Sequence, residues 1–465
     1  MRIHHACVFR RSFFLVLFVV LSTAPPAFAA SPYFKDVCAS GCTYSDVQTA
    51  IDSITDSGPD KVYTIFLDSG SLESNTSIST GGKSYINFVG RGIGVSILRA
   101  SLTWFQTTTV GDFFDLSGST NITLRGITID ARTKDPGGLS SIFNGVRVDN
   151  ADKIVIDSSE IQGVNYTLWE NAGVLTNLIQ VFNSKIRGVA FGIVMRKQSW
   201  HIFSCDIRAV NNGTASAIAS AHALVAGDND STLINATVWG SHIHAETSQP
   251  GQNFTVAAVK NFMGAGSKLF VVGSTLHVKI STTDVVATRL MFSYLAQNSN
   301  TGTKTAYLVG SDLLYESPDG LAQGKIGGVG WVVARDLQIN LVGVNFTSLG
   351  SGGTSRADIV ASIGFPPLIL NTGSKISSVA GSIPVGVATS FGTINQKTGT
   401  STFANSNTVS VAFPSTEQMP DTTYKVSVSS NAAETIYVIN KSTTGFTLKS
   451  TNANSTASVD WIVAR

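Results

Sequence analysis

From about Ile122 to Phe346 the chain repeats a short pattern in which apolar residues alternate with polar ones, a small residue interrupts, and another apolar residue closes the unit. The units are ITLRGITID, IVIDSSEIQ, LIQVFNSKIR, WHIFSCDIR, VWGSHIHA, FVVGSTLHV, YLVGSDLLY and INLVGVNF. Their closing residues, Ile129, Ile161, Ile186, Ile207, Ile243, Leu276, Leu313 and Phe346, are separated by 32, 25, 21, 36, 33, 37 and 33 residues. Pairs such as Ile154/Ile156 and Val146/Val148 recur at every second position, the period of a strand and not that of a helix. A spacing that never falls below 21 yet varies widely fits coils with fixed strands and variable loops. The pattern predicts an all-β parallel solenoid in which each turn stacks on the last.

The two ends read differently. In residues 45–54, Val47, Ala50, Ile51 and Ile54 fall on one helical face, and Ser45 with Gln48 makes a capping-box start. This amphipathic helix is expected to cover the open N-terminal end of the solenoid, where strand edges would otherwise be bare. Strands in VYTIFLDSG, INFVGRG and SILRAS follow. Residues 371–406, rich in Ser, Gly and Thr, read as a connector. TVSVAF, YKVSVS, TIYVIN, GFTLKS and SVDWIVA then predict a compact β-module over 407–465.

Composition agrees with stacked coils. Only 13% of residues are charged, about half the usual share, and 43 glycines against 12 prolines suit many tight turns. Arg2, Arg10 and Arg11, the apolar run Phe13 to Leu21 and the Ala27-Phe28-Ala29 site read as a secretory signal over residues 1–29, too short to span a bilayer. The expected product is therefore secreted or displayed at the cell surface, without stable membrane insertion. Removing those residues takes three arginines and no acid from 32 basic and 30 acidic side chains, and no polybasic run remains. Nucleic acid is not an expected partner. Export also supplies oxidant, so Cys38 and Cys42 in CASGC favour a local disulfide over two free thiols, and a metal site there lacks a nearby His or second Cys pair. Cys205, between Ile202 and Ile207, reads as a buried filler.

The succession CASGCTYSDVQTAIDSI, TIFLDSGSLESNTSIS and INFVGRGIGVSILRA resembles the opening of pectin-lyase-like right-handed parallel β-helix proteins, pectinesterases above all. It covers residues 38 to about 100, and the repeats carry the same architecture to about 350, so the resemblance implies a right-handed parallel β-helix over 30–370. That superfold hosts lyases, hydrolases, esterases, phage tailspikes and adhesins. The pectinesterase segments Gln-Asp-Thr, Asp-Phe-Ile-Phe-Gly and Leu-Gly-Arg-Pro-Trp are not found in register; GDFFD (Gly111 to Asp115) is superficially similar but sits too early. The pectate lyase pattern Arg-x-Pro-x-x-Arg is also missing. The tail, from FPSTEQMPDTTYKVSVSS to DWIVAR, resembles small β-modules that end phage tail fibres and bacterial surface proteins, which implies a homotrimer or a ligand-binding end; a plain solenoid cap is the alternative.

Chemistry is expected on outward-facing side chains, since buried charge is costly. Inward Val146 and Val148 put Arg147 and Asp149 outward, and inward Ile193 and Met195 put Arg196 outward. If those strands stack, the three share one ladder, with Trp169 and Glu170 added from an intervening loop. Asp149 or Glu170 would then act as acid or base, the arginines would neutralise carboxylates, and Trp169 would stack on a sugar ring. The competing reading is a solvated ladder of opposite charges. His242, His244 and Glu246 project to one side of a strand, a spacing that can hold a metal but more often marks an exposed polar face. The acidic turn GDND (Gly227 to Asp230) is too short for a full oxygen cage. No metal or cofactor is assigned. Asn-x-Ser/Thr sequons at Asn121, Asn165, Asn212, Asn235, Asn253 and Asn345 matter only in a eukaryotic secretory route. The expected function is recognition of extracellular polysaccharide, with degradation or modification by lyase, hydrolase or esterase chemistry. A non-catalytic adhesin or structural fibre is the alternative.

Overall fold

The eight closing residues of the repeat lie on one another. Ile129 pairs with Ile161, and Ile186, Ile207, Ile243, Leu276, Leu313 and Phe346 follow one coil at a time, every pair parallel and in direct register. This is seen in a computed structural model that describes residues 33–107, 110–132, 142–211, 220–227, 233–248, 255–281, 290–296, 302–316, 326–328, 337–349, 359–360, 368–372, 374, 379–380, 396–413, 422 and 424–464. The signal segment, Asp228 to Asp230, Asn212 and Asn253 lie outside the described residues.

The small residue that interrupts each unit is a corner. Three positions before each closing residue stand Gly126, Ser158, Asn183, Ser204, Gly240, Gly273, Gly310 and Gly343, all left-handed with φ between 48° and 63°. Glycine and asparagine adopt this conformation readily, whereas a serine there carries strain. One position later comes a buried residue, serine at five of the eight corners. Its hydroxyl donates to the carbonyl two residues earlier and accepts an N–H from the preceding coil, as Ser241 does from Cys205 (3.1 Å) and Ser274 from Ser241 (3.1 Å). Cys205 fills one such corner, its thiol on the Phe203 carbonyl at 3.2 Å. Burial pushes that thiol up to about 11, which suits a filler and not a nucleophile.

Between corners the chain visits three parallel sheets in turn. Ile86–Gly90 lies in a 12-stranded sheet, Ser96–Ala100 in a 10-stranded sheet and Val110–Asp115 in an 11-stranded sheet, and Thr120–Arg125 returns to the first. Inner faces meet in one apolar column, in which Ile122, Ile154, Ile179 and Trp200 form a fully buried ladder. This is a parallel β-helix with few helical residues.

At the N-terminal end a helix spans Val47–Asp52 and buries Val47, Ala50 and Ile51. Its cap is Asp46, not Ser45: the Asp46 carboxylate accepts the Thr49 N–H at 2.7 Å. Gln48 is committed elsewhere, to Asp52 and to the backbone of Ser79, so the expected capping box does not form. A short helix at Leu102–Thr107, which the sequence pattern did not signal, buries Trp104. Cys38 and Cys42 form a disulfide.

Strand pairing runs into the expected connector. Leu368–Thr372 and Val379–Ala380 add to the 12- and 11-stranded sheets, while Gln396–Thr402 pairs with Ser458–Ala464. Among the described residues the C-terminal part has two three-stranded antiparallel sheets around a separate core that includes Phe403, Tyr424, Phe446 and Leu448. No helix of the described residues is long and apolar enough to cross a membrane.

Candidate functional site

Four strands of the 11-stranded sheet build the candidate site: Val110–Asp115, Ile142–Arg147, Tyr166–Trp169 and Phe191–Met195. Phe114, Val146, Leu168 and Ile193 align as the inward ladder. The same register puts Asp115, Arg147, Trp169 and Val194 in one outward row. Arg147 and Arg196 therefore do not share a row, and their strands do not touch. Tyr166–Trp169 lies between them as a strand of its own, where the sequence suggested a loop.

The arginines nevertheless meet around that inserted strand. Trp169 stacks on Tyr166 with ring centroids 5.1 Å apart, and the guanidinium carbons of Arg147 and Arg196 lie 5.3 and 6.0 Å from the indole centroid. Such cation–π contacts hold a guanidinium flat against a ring and fix where its remaining donors point. The indole of Trp169 is thus already engaged by three side chains.

Sequence reasoning missed Asp112. Its Oδ1 accepts from the Trp169 indole at 2.8 Å and from the Asn144 amide at 2.9 Å, while Oδ2 faces Arg147 at 3.4 Å. Burial raises its pKa above the usual carboxylate value, against the lowering effect of Asn144, Trp169 and Arg147. The signal was present in GDFFD, where Asp112 and Asp115 bracket two buried phenylalanines, but only the register shows which coil they face.

The two expected acid–base carboxylates are tied down. Asp149 is buried; its Oδ2 takes the Arg147 guanidinium, with Nε at 2.8 Å, and its Oδ1 takes the backbone N–H groups of Asn171 and Ala172. It orients Arg147 and pins the next coil. Glu170 follows outward Trp169 and so turns inward, fully buried. Its Oε1 accepts from the backbone of Arg196 (2.5 Å), Lys197 (2.6 Å) and Gln198 (3.0 Å) and from the Trp200 indole (3.1 Å). Burial raises its pKa against those backbone donors. Glu170 is placed to shape the turn that carries Arg196, away from the outward face.

No family model matches this chain, and no curated protein matches it. Among solved structures it is similar to the tailspike protein gp49 from Pseudomonas phage LKA1 at 12% identity, over 90% of this chain and 91% of that one, with a TM-score of 0.33. A pectin methylesterase in complex with a hexasaccharide aligns at 11% identity over 71% and 92%, TM-score 0.37. The A-module of the Azotobacter vinelandii mannuronan C-5 epimerase AlgE4 aligns at 11% over 73% and 93%, TM-score 0.33. At such values the architecture rests on the chain's own strand order. By that order, three parallel sheets wound one strand at a time, it is a parallel β-helix.

Proposed function

We propose that this chain is an exported β-helix protein that binds an acidic extracellular polysaccharide on the outer face of its 11-stranded sheet and transfers a proton on the bound sugar through Asp112. The observation that carries this reading is the grouping of two guanidinium groups around one indole, with a mostly buried carboxyl against that indole. Guanidinium groups held against one ring, Arg147 also by Asp149 and Arg196 by the Asn171 side chain, are placed to meet a planar carboxylate, as a uronate sugar presents. A carboxyl whose burial keeps it protonated above the ordinary range is suited to general acid–base work. Two-carboxylate glycoside hydrolysis fits less well, because Asp149 is saturated with donors and the neighbouring Asp115 is turned to Ser117, whose N–H and hydroxyl its Oδ1 accepts. Proton transfer at a carbon or oxygen beside the uronate carboxylate fits better. The sugar would meet the arginines and the edge of the indole, not an open stacking platform.

The test is a panel of acidic and neutral polysaccharides, scored for new reducing ends, unsaturated-product absorbance and binding. Turnover on acidic glycans is expected, with Asp112→Asn lowering kcat by about 10²- to 10⁴-fold while binding persists. Arg196→Ala is expected to weaken acidic-glycan binding by about tenfold and leave neutral glycans unaffected. Arginine-dependent binding with no turnover on any glycan would favour the adhesin reading. Neither binding nor turnover would remove both.

A further inference from the structure

The outer face of the 10-stranded sheet carries a cluster that the proposed function does not use. His242 and His244 lie on His242–Thr247, and the register places His277, from Thr275–Ile280, directly beside His244. One ring nitrogen from each of the three lies within 4.8 Å of the others. His244 Nδ1 and His277 Nδ1 are 3.0 Å apart.

What surrounds the rings decides what that short distance means. His244 Nε2 faces Glu246 Oε2 at 3.1 Å, and His277 Nε2 lies 3.3 Å from Glu316 Oε2, off the line of a good hydrogen bond. His242 Nδ1 faces Asp206 at 3.3 Å. A carboxylate oxygen opposite a ring nitrogen calls for N–H at that nitrogen, and a neutral imidazole has only one N–H. With the protons on the two Nε2 atoms, both Nδ1 atoms present lone pairs to each other. Two lone pairs at 3.0 Å repel unless a cation sits between them. Carboxylate-backed imidazoles whose free nitrogens converge are the arrangement that metal-binding histidines adopt.

We propose that His242, His244 and His277 form a binding site for one divalent transition-metal ion of the zinc class, with Asp206, Glu246 and Glu316 orienting the rings from behind. Imidazole donors select zinc, copper and nickel over calcium and magnesium, which prefer oxygen. Zinc–nitrogen bonds of 2.0–2.1 Å in a tetrahedral site need nitrogens about 3.3–3.4 Å apart. His244 and His277 are close to that already, and His242, the most exposed of the three at 38%, closes the site by turning its ring. The neighbouring cations are neutralised: Arg208 and Arg187 are bonded to Asp206, and Lys279 to Glu316 at 3.4 Å. With three protein ligands and a solvent-facing side at His242, the fourth position is open to water or to a ligand oxygen.

Full-length protein without an affinity tag, stripped by dialysis against a chelator, is titrated with zinc chloride in a calorimeter, with circular dichroism checking that each variant is folded. One equivalent is expected to bind; His244→Ala and His277→Ala each lower the affinity at least tenfold, Glu316→Gln lowers it by about 10- to 100-fold, and His201→Ala, on another sheet, leaves it unchanged. Cobalt in place of zinc is expected to give the visible absorption of a tetrahedral nitrogen site. Absence of saturable one-equivalent binding, or the same affinity in folded His244→Ala and His277→Ala, overturns the proposal; so does a histidine pair that takes up a proton at neutral pH and no metal.

Discussion

Glu170 shows how a single carboxylate can organise a turn. Four donors converge on its Oε1, three of them backbone N–H groups of consecutive residues, while Oε2 has no hydrogen-bond partner among the described residues. Removing it would strand those N–H groups in the interior, so Glu170→Ala is expected to cost about 3 kcal/mol or more in urea unfolding, and Glu170→Gln, which keeps an acceptor, clearly less. Lys260 continues the outward row of Asp115, Arg147, Trp169 and Val194, lies over the Phe262 ring at 4.3 Å, and burial pulls it down to about 8. Between about pH 8 and about pH 10.4 the unfolded chain holds a proton there that the folded chain has released, so stability rises with pH across that window. The wild type should show this slope relative to Lys260→Met in unfolding measured across that range. Asp112 makes the matching kinetic prediction: if it is the general acid, the alkaline limb of kcat falls above, not at, the ordinary carboxylate value near 3.9. At this scale the sequence was only partly legible. Alternation correctly turned Arg147 outward, but it could not reveal that Tyr166–Trp169 is a strand, and that strand decides that Trp169 faces out, Glu170 faces in and Asp112 joins the arginines.

The corner is the element that repeats most faithfully, more so than any strand. Ser158 and Ser204 hold a backbone conformation that glycine adopts at four later corners without strain. Ser204→Gly is therefore expected to gain up to about 1 kcal/mol, and Gly240→Ala to lose a similar amount, read as shifts in urea midpoint at constant slope. Cys205→Ser should be nearly neutral, because a hydroxyl makes at that corner the bonds that Ser241 and Ser274 make at theirs. Gly192 tests the spacing between coils: a Cβ there would lie 2.3 Å from the Ala223 carbonyl oxygen, so Gly192→Ala should cost about 1–3 kcal/mol. These elements were the most legible part of the chain. A closing apolar residue recurs because it must stack, and a small one precedes it because the chain must turn. Loop lengths carried no such requirement, which is why the spacing wanders while the ladder does not. The helix cap was misread for a local reason: Ser45 and Asp46 are both good caps, and Gln48 was drawn off to Ser79, a partner 31 residues away.

At the scale of the molecule, the solenoid and the C-terminal sheets have separate cores. The homotrimer that the resemblance of the C-terminal part implies predicts that light scattering gives three times the chain mass for the full chain and a single chain mass after deletion of 396–465. An unchanged mass would leave that part as a cap. The fold as a whole was legible because direct stacking writes itself into the sequence as repetition. The histidine cluster was not, because His277 lies 33 residues from His244 and only register unites them.

The intervals between closing residues also set how much chain each coil can spare. The two shortest coils, of 25 and 21 residues, are those that carry Trp169 and Arg196, and coils of 32 and 36 residues lie to either side. Three strands and their corners consume nearly all of a 21-residue coil, so the coils that carry Trp169 and Arg196 have little chain to spare for loops. Insertions into those two coils would crowd Trp169 and Arg196 without altering one charged side chain. Coil length there is then expected to decide which polymers can approach, as much as chemistry does.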